Sequence, residues 1–265
     1  MALMHVDFFS NVLGMCMQMD VILPQKTSGQ IGMEGKAEET YPTLYLLHGM
    51  SDDHTIWQRR TSIERYVSER NLAVVMPSTH LGWYTDMAYG LPYFTYITKE
   101  LPEICRACFR GMSAKREDTY IAGLSMGGYG ALKAAFSCPD AYCAAAGLSS
   151  ATDAFVRALR EDKSSRNHYW ESIFGKPEDV PGSENDLFAL AERCAAGGKM
   201  PALYQWCGTE DDLLEENRRL RDTLEKLGYS LRYKESPGNH SWTYWDAEIQ
   251  SVLDWIDELR GGKHA

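Results

Sequence analysis

Three short stretches carry side chains whose types and order could run acyl transfer: Gly123-Leu124-Ser125-Met126-Gly127, Glu210-Asp211-Asp212 and Gly238-Asn239-His240. A serine hydroxyl is a weak nucleophile near neutral pH. It needs a base to take its proton, and the base needs a carboxylate to hold its tautomer and stabilise its charged form. Serine, acid and histidine in that chain order form one of the recurring arrangements of this chemistry. Asp211 lies 86 residues after Ser125, and His240 lies 29 after Asp211. Those gaps leave room for one insertion and then one strand–helix–strand unit.

The serine is the best marked of the three. A β-prone run, Thr119–Ala122, precedes it, and a helix-forming run, Tyr129–Ser137, follows. Strand, sharp turn and helix make a nucleophile elbow, in which the serine is forced into a strained backbone and its neighbours must be glycine. The pattern alone would arise about 0.1 times by chance in a chain of this length and composition, so the flanking elements and downstream partners carry the assignment. For the acid, Asp211 and Asp212 compete, with Glu210 more distant. Asp211 is preferred, because Asp212 adjoins Leu213-Leu214 and is placed to cap a helix. His240 follows the strand-like run Leu231–Lys234 and directly precedes a helical pattern. His5 falls in an opening strand, His54, His80 and His168 lie outside the expected order, and His264 is in the tail.

A tetrahedral intermediate also needs hydrogen-bond donors for its oxyanion. The N–H of Met126, next after the nucleophile, is one candidate. The second belongs to the loop after the first buried strand, Leu46-Leu47-His48-Gly49-Met50, with Met50 N–H preferred and Gly49 N–H the alternative. His48 is expected to anchor that loop. Aromatic residues crowd these loops. Trp83 and Tyr84, in a loop beyond Pro77, are candidates to line an acyl pocket, as is Trp242 just after the histidine. Most of the others, at helical spacing, read as core.

The elements that must position these groups follow from periodicity. Met4–Ser10 and Cys16–Leu23 alternate around Asn11–Gly14 and predict an antiparallel pair. Continuous apolar runs at Thr43–Leu47, Leu72–Met76, Cys143–Leu148 and Ala202–Cys207 predict strands buried on both faces. Helical spacing covers Thr61–Arg70, Tyr93–Phe109, Glu215–Leu227 and Trp242–Leu259, with Pro102 set to kink or restart the second. The alternation gives an α/β class with a mostly parallel, doubly wound sheet. Gln25–Thr40 reads as an exposed connection. Residues 150–200 break the rhythm and are read as an insertion over the active site within a single domain spanning 1–265.

Composition narrows the partners. The 265 residues are 44% hydrophobic and 24% charged, with a net charge of −10, which argues against nucleic acid or an anionic membrane as the principal partner. The N-terminus lacks the basic and apolar regions of a signal peptide, and no run approaches the ~18 apolar residues of a membrane span. Seven scattered cysteines, an odd number, fit a reducing cytoplasm. Cys105 and Cys108 form a C-x-x-C within a predicted helix and without a second ligand pair, so no metal site is expected.

In combination, Tyr-Leu-Leu-His-Gly-Met (45–50), Gly-Trp-Tyr-Thr-Asp (82–86), Ile-Ala-Gly-Leu-Ser-Met-Gly-Gly-Tyr-Gly (121–130), Trp-Cys-Gly-Thr-Glu-Asp (206–211) and Gly-Asn-His-Ser-Trp (238–242) resemble the esterase D-type esterases, in particular the bacterial tributyrin esterase group. The resemblance spans almost the whole chain. It implies an α/β-hydrolase fold, hydrolysis of short-chain acyl esters without a cofactor, and homo-oligomerisation. By position it maps nucleophile, acid and base to Ser125, Asp211 and His240. Related enzymes include S-formylglutathione hydrolases, feruloyl and acetyl-xylan esterases, and mycolyl transferases. S-formylglutathione hydrolases carry a Leu-Thr-Cys run after the loop glycine, where this chain has Met50-Ser51-Asp52. That difference weighs against a glutathione thioester as substrate. Transfer to an acceptor other than water would use the same triad.

Overall fold

The computed structural model describes residues 1–29, 31, 35–159 and 168–261. Parts of the expected connection 25–40 and of the 150–200 insertion, and His264 in the tail, lie outside the described residues. Eight strands form one sheet: β1 (Ala2–Ser10), β2 (Met15–Leu23), β3 (Thr43–Leu47), β4 (Ala73–Pro77), β5 (Thr119–Leu124), β6 (Ala144–Leu148), β7 (Ala202–Gly208) and β8 (Leu231–Ser236), in the order β1-β2-β4-β3-β5-β6-β7-β8. The first two pair antiparallel with each other, and β2 pairs antiparallel with β4; every later pairing is parallel.

Side chains of the central strands alternate between two cores, as the period of two requires. Tyr45, Leu47, Val75 and Ile121 face one layer, which holds the helices Leu101–Cys108, Met126–Ser137 and Leu187–Ala196. Leu44, Leu46, Val74, Met76 and Tyr120 face the other, with the helix Trp242–Leu259. Both faces are therefore covered, which explains why these strands read as unbroken apolar runs.

Two expectations needed adjustment. The Thr61–Arg70 pattern yields only the short helix Ile63–Val67, and a further short helix, Ile56–Arg60, precedes it where none was expected. In the Tyr93–Phe109 pattern, a π-helical turn at Tyr96–Glu100 sits just ahead of Leu101–Cys108. Pro102 has no N–H to give and its ring crowds the carbonyl one turn back, so the wider turn accommodates it without ending the helix.

Between β6 and β7 the chain forms the helices Ala154–Ala158, Tyr169–Phe174 and Leu187–Ala196. Asp186 caps the last by accepting from Phe188 N–H. This segment is fastened to the elbow helix at Asn185, whose carbonyl accepts from Tyr129 Oη at 2.9 Å and whose Oδ1 accepts from Lys133 Nζ at 2.7 Å. Burial brings the Lys133 pKa down to about 7. A second fastening is the 2.7 Å ion pair between Arg219 and Asp153. Among the described residues, no helix is long and apolar enough to cross a membrane.

Candidate active site

Parallel pairing puts the carboxyl ends of β3, β5, β6, β7 and β8 at one edge of the sheet, and each contributes to a single cleft. At the end of β5, Ser125 has φ 52° and ψ −115°, a left-handed region that non-glycine residues enter only where the surroundings impose it. The flanking glycines are a steric necessity. A Cβ on Gly123 would meet the Gly127 carbonyl at 2.4 Å, and one on Gly127 would meet Leu47 O at 2.5 Å and His48 O at 2.6 Å. Ser125 N–H is held by Leu148 O at 2.9 Å, and Ser125 O accepts from Ala151 N–H at 3.1 Å. The strained turn is thereby pinned to the end of β6.

His240 is brought to the serine by the loop after β8. Its Nε2 lies 3.0 Å from Ser125 Oγ, and its Nδ1 lies 2.9 Å from Asp211 Oδ2. The His240 side chain is 37% exposed and that of Asp211 fully buried, so the imidazole bridges a dry carboxylate and the serine facing the cleft. Burial alone would raise the Asp211 pKa; hydrogen bonds from His240 and from Leu213 N–H outweigh it and hold the carboxyl below its ordinary value.

The structure brings Asp211, not Asp212, to the imidazole, though not for the reason read from the sequence. Asp212 was expected to cap the following helix, yet it is exposed and the helix Leu214–Lys226 starts without a side-chain cap; Asp211 Oδ1 accepts the Leu213 N–H at 2.9 Å. Glu210, the distant third, ties the acid loop to the base loop: its carboxylate accepts from Gly238 N–H, and its own N–H donates to Gly238 O at 2.9 Å. The two loops touch so closely that a Cβ on Gly208 would lie 2.1 Å from Gly238 O.

The loop after β3 lies against the elbow, and the carbonyls of Leu47, His48 and Gly49 are all occupied. Leu47 O accepts from Trp57 Nε1 at 3.0 Å, His48 O from Tyr84 Oη at 2.9 Å, and Gly49 O from His48 Nδ1 at 2.8 Å. Thr79 N–H donates to His48 Nε2 at 3.0 Å. A backbone donor at Nε2 requires a lone pair there, so His48 is neutral with its proton on Nδ1, and burial lowers its pKa to about 4. In a trans peptide the carbonyl and the next N–H point in opposite directions. Fixing the Gly49 carbonyl inward therefore turns the Met50 N–H outward. Among the described residues neither Met50 N–H nor Met126 N–H has an acceptor, and the latter is one of the first-turn donors every helix leaves unpaired.

The aromatic candidates fall differently from expectation. Tyr84 is 1% exposed and Trp83 3%, so neither has surface to offer a substrate. Tyr84 holds the His48 carbonyl, and Trp83 donates to Tyr169 Oη at 3.0 Å while packing edge-on to Trp170 and Phe174. Both sit at positive φ, a backbone cost that their buried contacts offset. No periodicity could separate an aromatic that lines a pocket from one that braces the loop behind it. Trp242 is half-buried, edge-on to Trp57 at 5.0 Å and to Trp245 at 5.4 Å. Cys105 is buried, and its thiol is pushed up to about 12 by that burial. Among the described residues no group of three or more His, Cys, Asp or Glu side chains could hold a metal ion.

Known proteins share this architecture and its sequence. An acetyl esterase of Caldicellulosiruptor saccharolyticus is 31% identical over 266 residues, covering 98% of this chain and 99% of the relative. FphF, a fluorophosphonate-binding serine hydrolase of Staphylococcus aureus, superposes with a TM-score of 0.86 at 34% identity over 96% of this chain and 98% of its own. An S-formylglutathione hydrolase (FrmB) from the same organism gives 0.84 and 35%, with the same coverage of both chains. The fold is that of the α/β-hydrolases. The profile of the family described as "Putative esterase" matches residues 10–256, nearly the whole sheet and every loop described above, and the chain belongs to that family of serine esterases.

Proposed function

We propose that the protein is a carboxylesterase for short-chain acyl esters, with Ser125 as nucleophile, His240 as base and Asp211 as the base's partner. The observation that carries the reading is the unbroken pair of hydrogen bonds, 3.0 Å from Ser125 Oγ to His240 and 2.9 Å from His240 to Asp211. Ser125 Oγ attacks the ester carbonyl carbon while His240 Nε2 takes its proton. The oxyanion is met by the N–H groups of Met126 and Met50. As the intermediate collapses, the C–O bond to the leaving group breaks and His240 returns the proton to the departing alcohol. Water then repeats the attack on the acyl-enzyme, His240 again accepting and returning one proton, and the acid is released. Asp211 stays ionised throughout and holds the imidazolium.

The acetyl esterase relative supports a short acyl group. Similarity to an S-formylglutathione hydrolase favours a thioester as the second reading, against which Met50-Ser51-Asp52 stand in the loop. Trp242 is proposed as a wall of the substrate site. The seven cysteines, all free, support a reducing compartment such as the cytoplasm. A hydrolysis panel of acetate, butyrate, octanoate and ferulate esters together with S-formylglutathione tests the reading. Highest kcat/KM on acetate or butyrate is the expected result; a preference for the glutathione thioester by tenfold or more would replace it with the second.

A further inference from the structure

Asn217 takes no part in the mechanism above, yet it is fully buried and stands between two of the segments that carry the triad. It lies in the first turn of the helix Leu214–Lys226. Its Nδ2 donates to Ser150 O at 2.8 Å and to Leu213 O at 2.8 Å. Both partners are carbonyls, which only accept, so the amide nitrogen must be the atom that faces them, with one hydrogen directed to each. Among the described residues the amide oxygen has no donor. The two donations therefore set the plane of the side chain.

Each of these carbonyls belongs to a peptide whose N–H holds a triad residue. Ala151 N–H, on the peptide of Ser150 O, donates to Ser125 O at 3.1 Å, and Leu214 N–H, on the peptide of Leu213 O, donates to Asp211 O at 3.0 Å. A trans peptide is planar with its C=O and N–H opposed, so fixing the carbonyl also fixes where the N–H points. Leu213 O keeps a second donor, the Asn217 N–H at 3.1 Å, and Ser125 O a second one in Tyr129 N–H at 3.1 Å. Ser150 O has no other donor among the described residues. Thr152 Oγ1, which donates to Glu216 O at 3.1 Å, links the same two segments without touching either peptide.

We propose that Asn217 is a positioning residue: its amide locks the Ser150–Ala151 and Leu213–Leu214 peptides against each other and so fixes the place of the nucleophile relative to the acid that orients its base. The inference rests on the triad reading given above. Without the amide, the Ser150 carbonyl is buried and unpaired, and a buried carbonyl in that state turns toward any donor it can reach. The Ala151 N–H turns with it and leaves Ser125 O. Ser125, at φ 52°, then loses one of the contacts that impose its strained backbone.

The test is steady-state kinetics on a nitrophenyl butyrate, with active sites counted by fluorophosphonate titration so that unfolded enzyme does not enter kcat. Asn217→Leu keeps the side-chain size and removes the donor. Its kcat is expected to fall about tenfold with KM within twofold, since a shift of a fraction of an ångström at the reacting atoms carries a cost of that order. Leu220→Ala, in the core on the same helix, loses stability through a cavity but should keep kcat within twofold; a merely structural role for Asn217 would make the two variants behave alike. Should Asn217→Leu not fold, Asn217→Ser takes its place. The hydroxyl can bond Leu213 O one turn back but is too short for Ser150 O, and the same fall in kcat is expected. A folded Asn217 variant with kcat within twofold of wild type, or a Leu220→Ala protein that loses as much kcat as the Asn217 variant, overturns the proposal. Ser125→Ala run alongside separates the two readings: if it keeps most of the wild-type rate, the triad assignment itself has failed.

Discussion

Replacing Gly127 by alanine tests the claim that the loop after β3 and the elbow helix form one oxyanion site. Gly127 lies in the first turn of the helix Met126–Ser137, where alanine would ordinarily gain about 1 kcal/mol of helix propensity over glycine. The added Cβ, however, would stand 2.5 Å from Leu47 O and 2.6 Å from His48 O, where real contacts are not found under 3.0 Å. Neither carbonyl can turn aside cheaply, since Trp57 and Tyr84 hold them. The loop and the helix must therefore part by about 0.5 Å, which is the whole tolerance of a preorganised catalytic group. Met50 N–H moves with the loop and Met126 N–H with the helix, so the two donors no longer converge on one oxygen. A full donor is worth about 2.7–4 kcal/mol of barrier, and a displacement of this size forfeits a part of that. We expect kcat to fall about 10- to 100-fold with KM within about threefold, because the donors act in the transition state more than in the ground state. Steady-state kinetics on a nitrophenyl butyrate, with thermal unfolding to verify the fold, decides it. A folded variant with kcat within twofold of wild type would refute the reasoning.

Other substitutions follow from the same geometry. Asp211→Asn should lower kcat by about 10⁴-fold, since the amide supports the wrong imidazole tautomer, while Asp212→Asn, on an exposed side chain, should leave kcat within about twofold; parallel kinetics on the two variants check both. Tyr84→Phe leaves the buried His48 carbonyl without its donor and should cost about 1–3 kcal/mol of stability in urea unfolding, with some loss of kcat. His48 gives a pH dependence. Its folded pKa of about 4 lies below the ordinary value of about 6.5, so below that value the unfolded chain binds the proton first and stability falls as pH drops. The contribution is complete above about pH 6.5, is lost down to about pH 4, and amounts to about 3 kcal/mol. Asp52, raised to about 6 by burial and by Asp53, works in the opposite direction over part of that window. The comparison is therefore between the wild type and His48→Gln, whose stability should fall less steeply between pH 6.5 and 4; equal slopes would show that His48 is not held neutral.

Much of this was legible before any coordinates. Thr43–Leu47 and Trp242–Leu259 fall on the residues that periodicity marks, because each buries a face with one unmixed pattern. The elbow was legible because Gly123, Ser125 and Gly127 leave few alternative backbones. What stayed hidden are contacts between residues distant in sequence whose types are common in any core. Tyr84 and Trp83 read as pocket aromatics because they follow a strand, yet their partners, His48 O and Tyr169 Oη, are set by how three loops meet.

Ser125 as the covalent nucleophile is tested most directly by trapping the acyl-enzyme. The enzyme is acid-quenched during turnover of a nitrophenyl butyrate, weighed intact by mass spectrometry, and digested to locate the adduct. The account predicts one butyryl group on the peptide containing Ser125 and neither adduct nor turnover in Ser125→Ala. A butyryl group on a different residue, or full turnover by the Ser125→Ala protein, would contradict it.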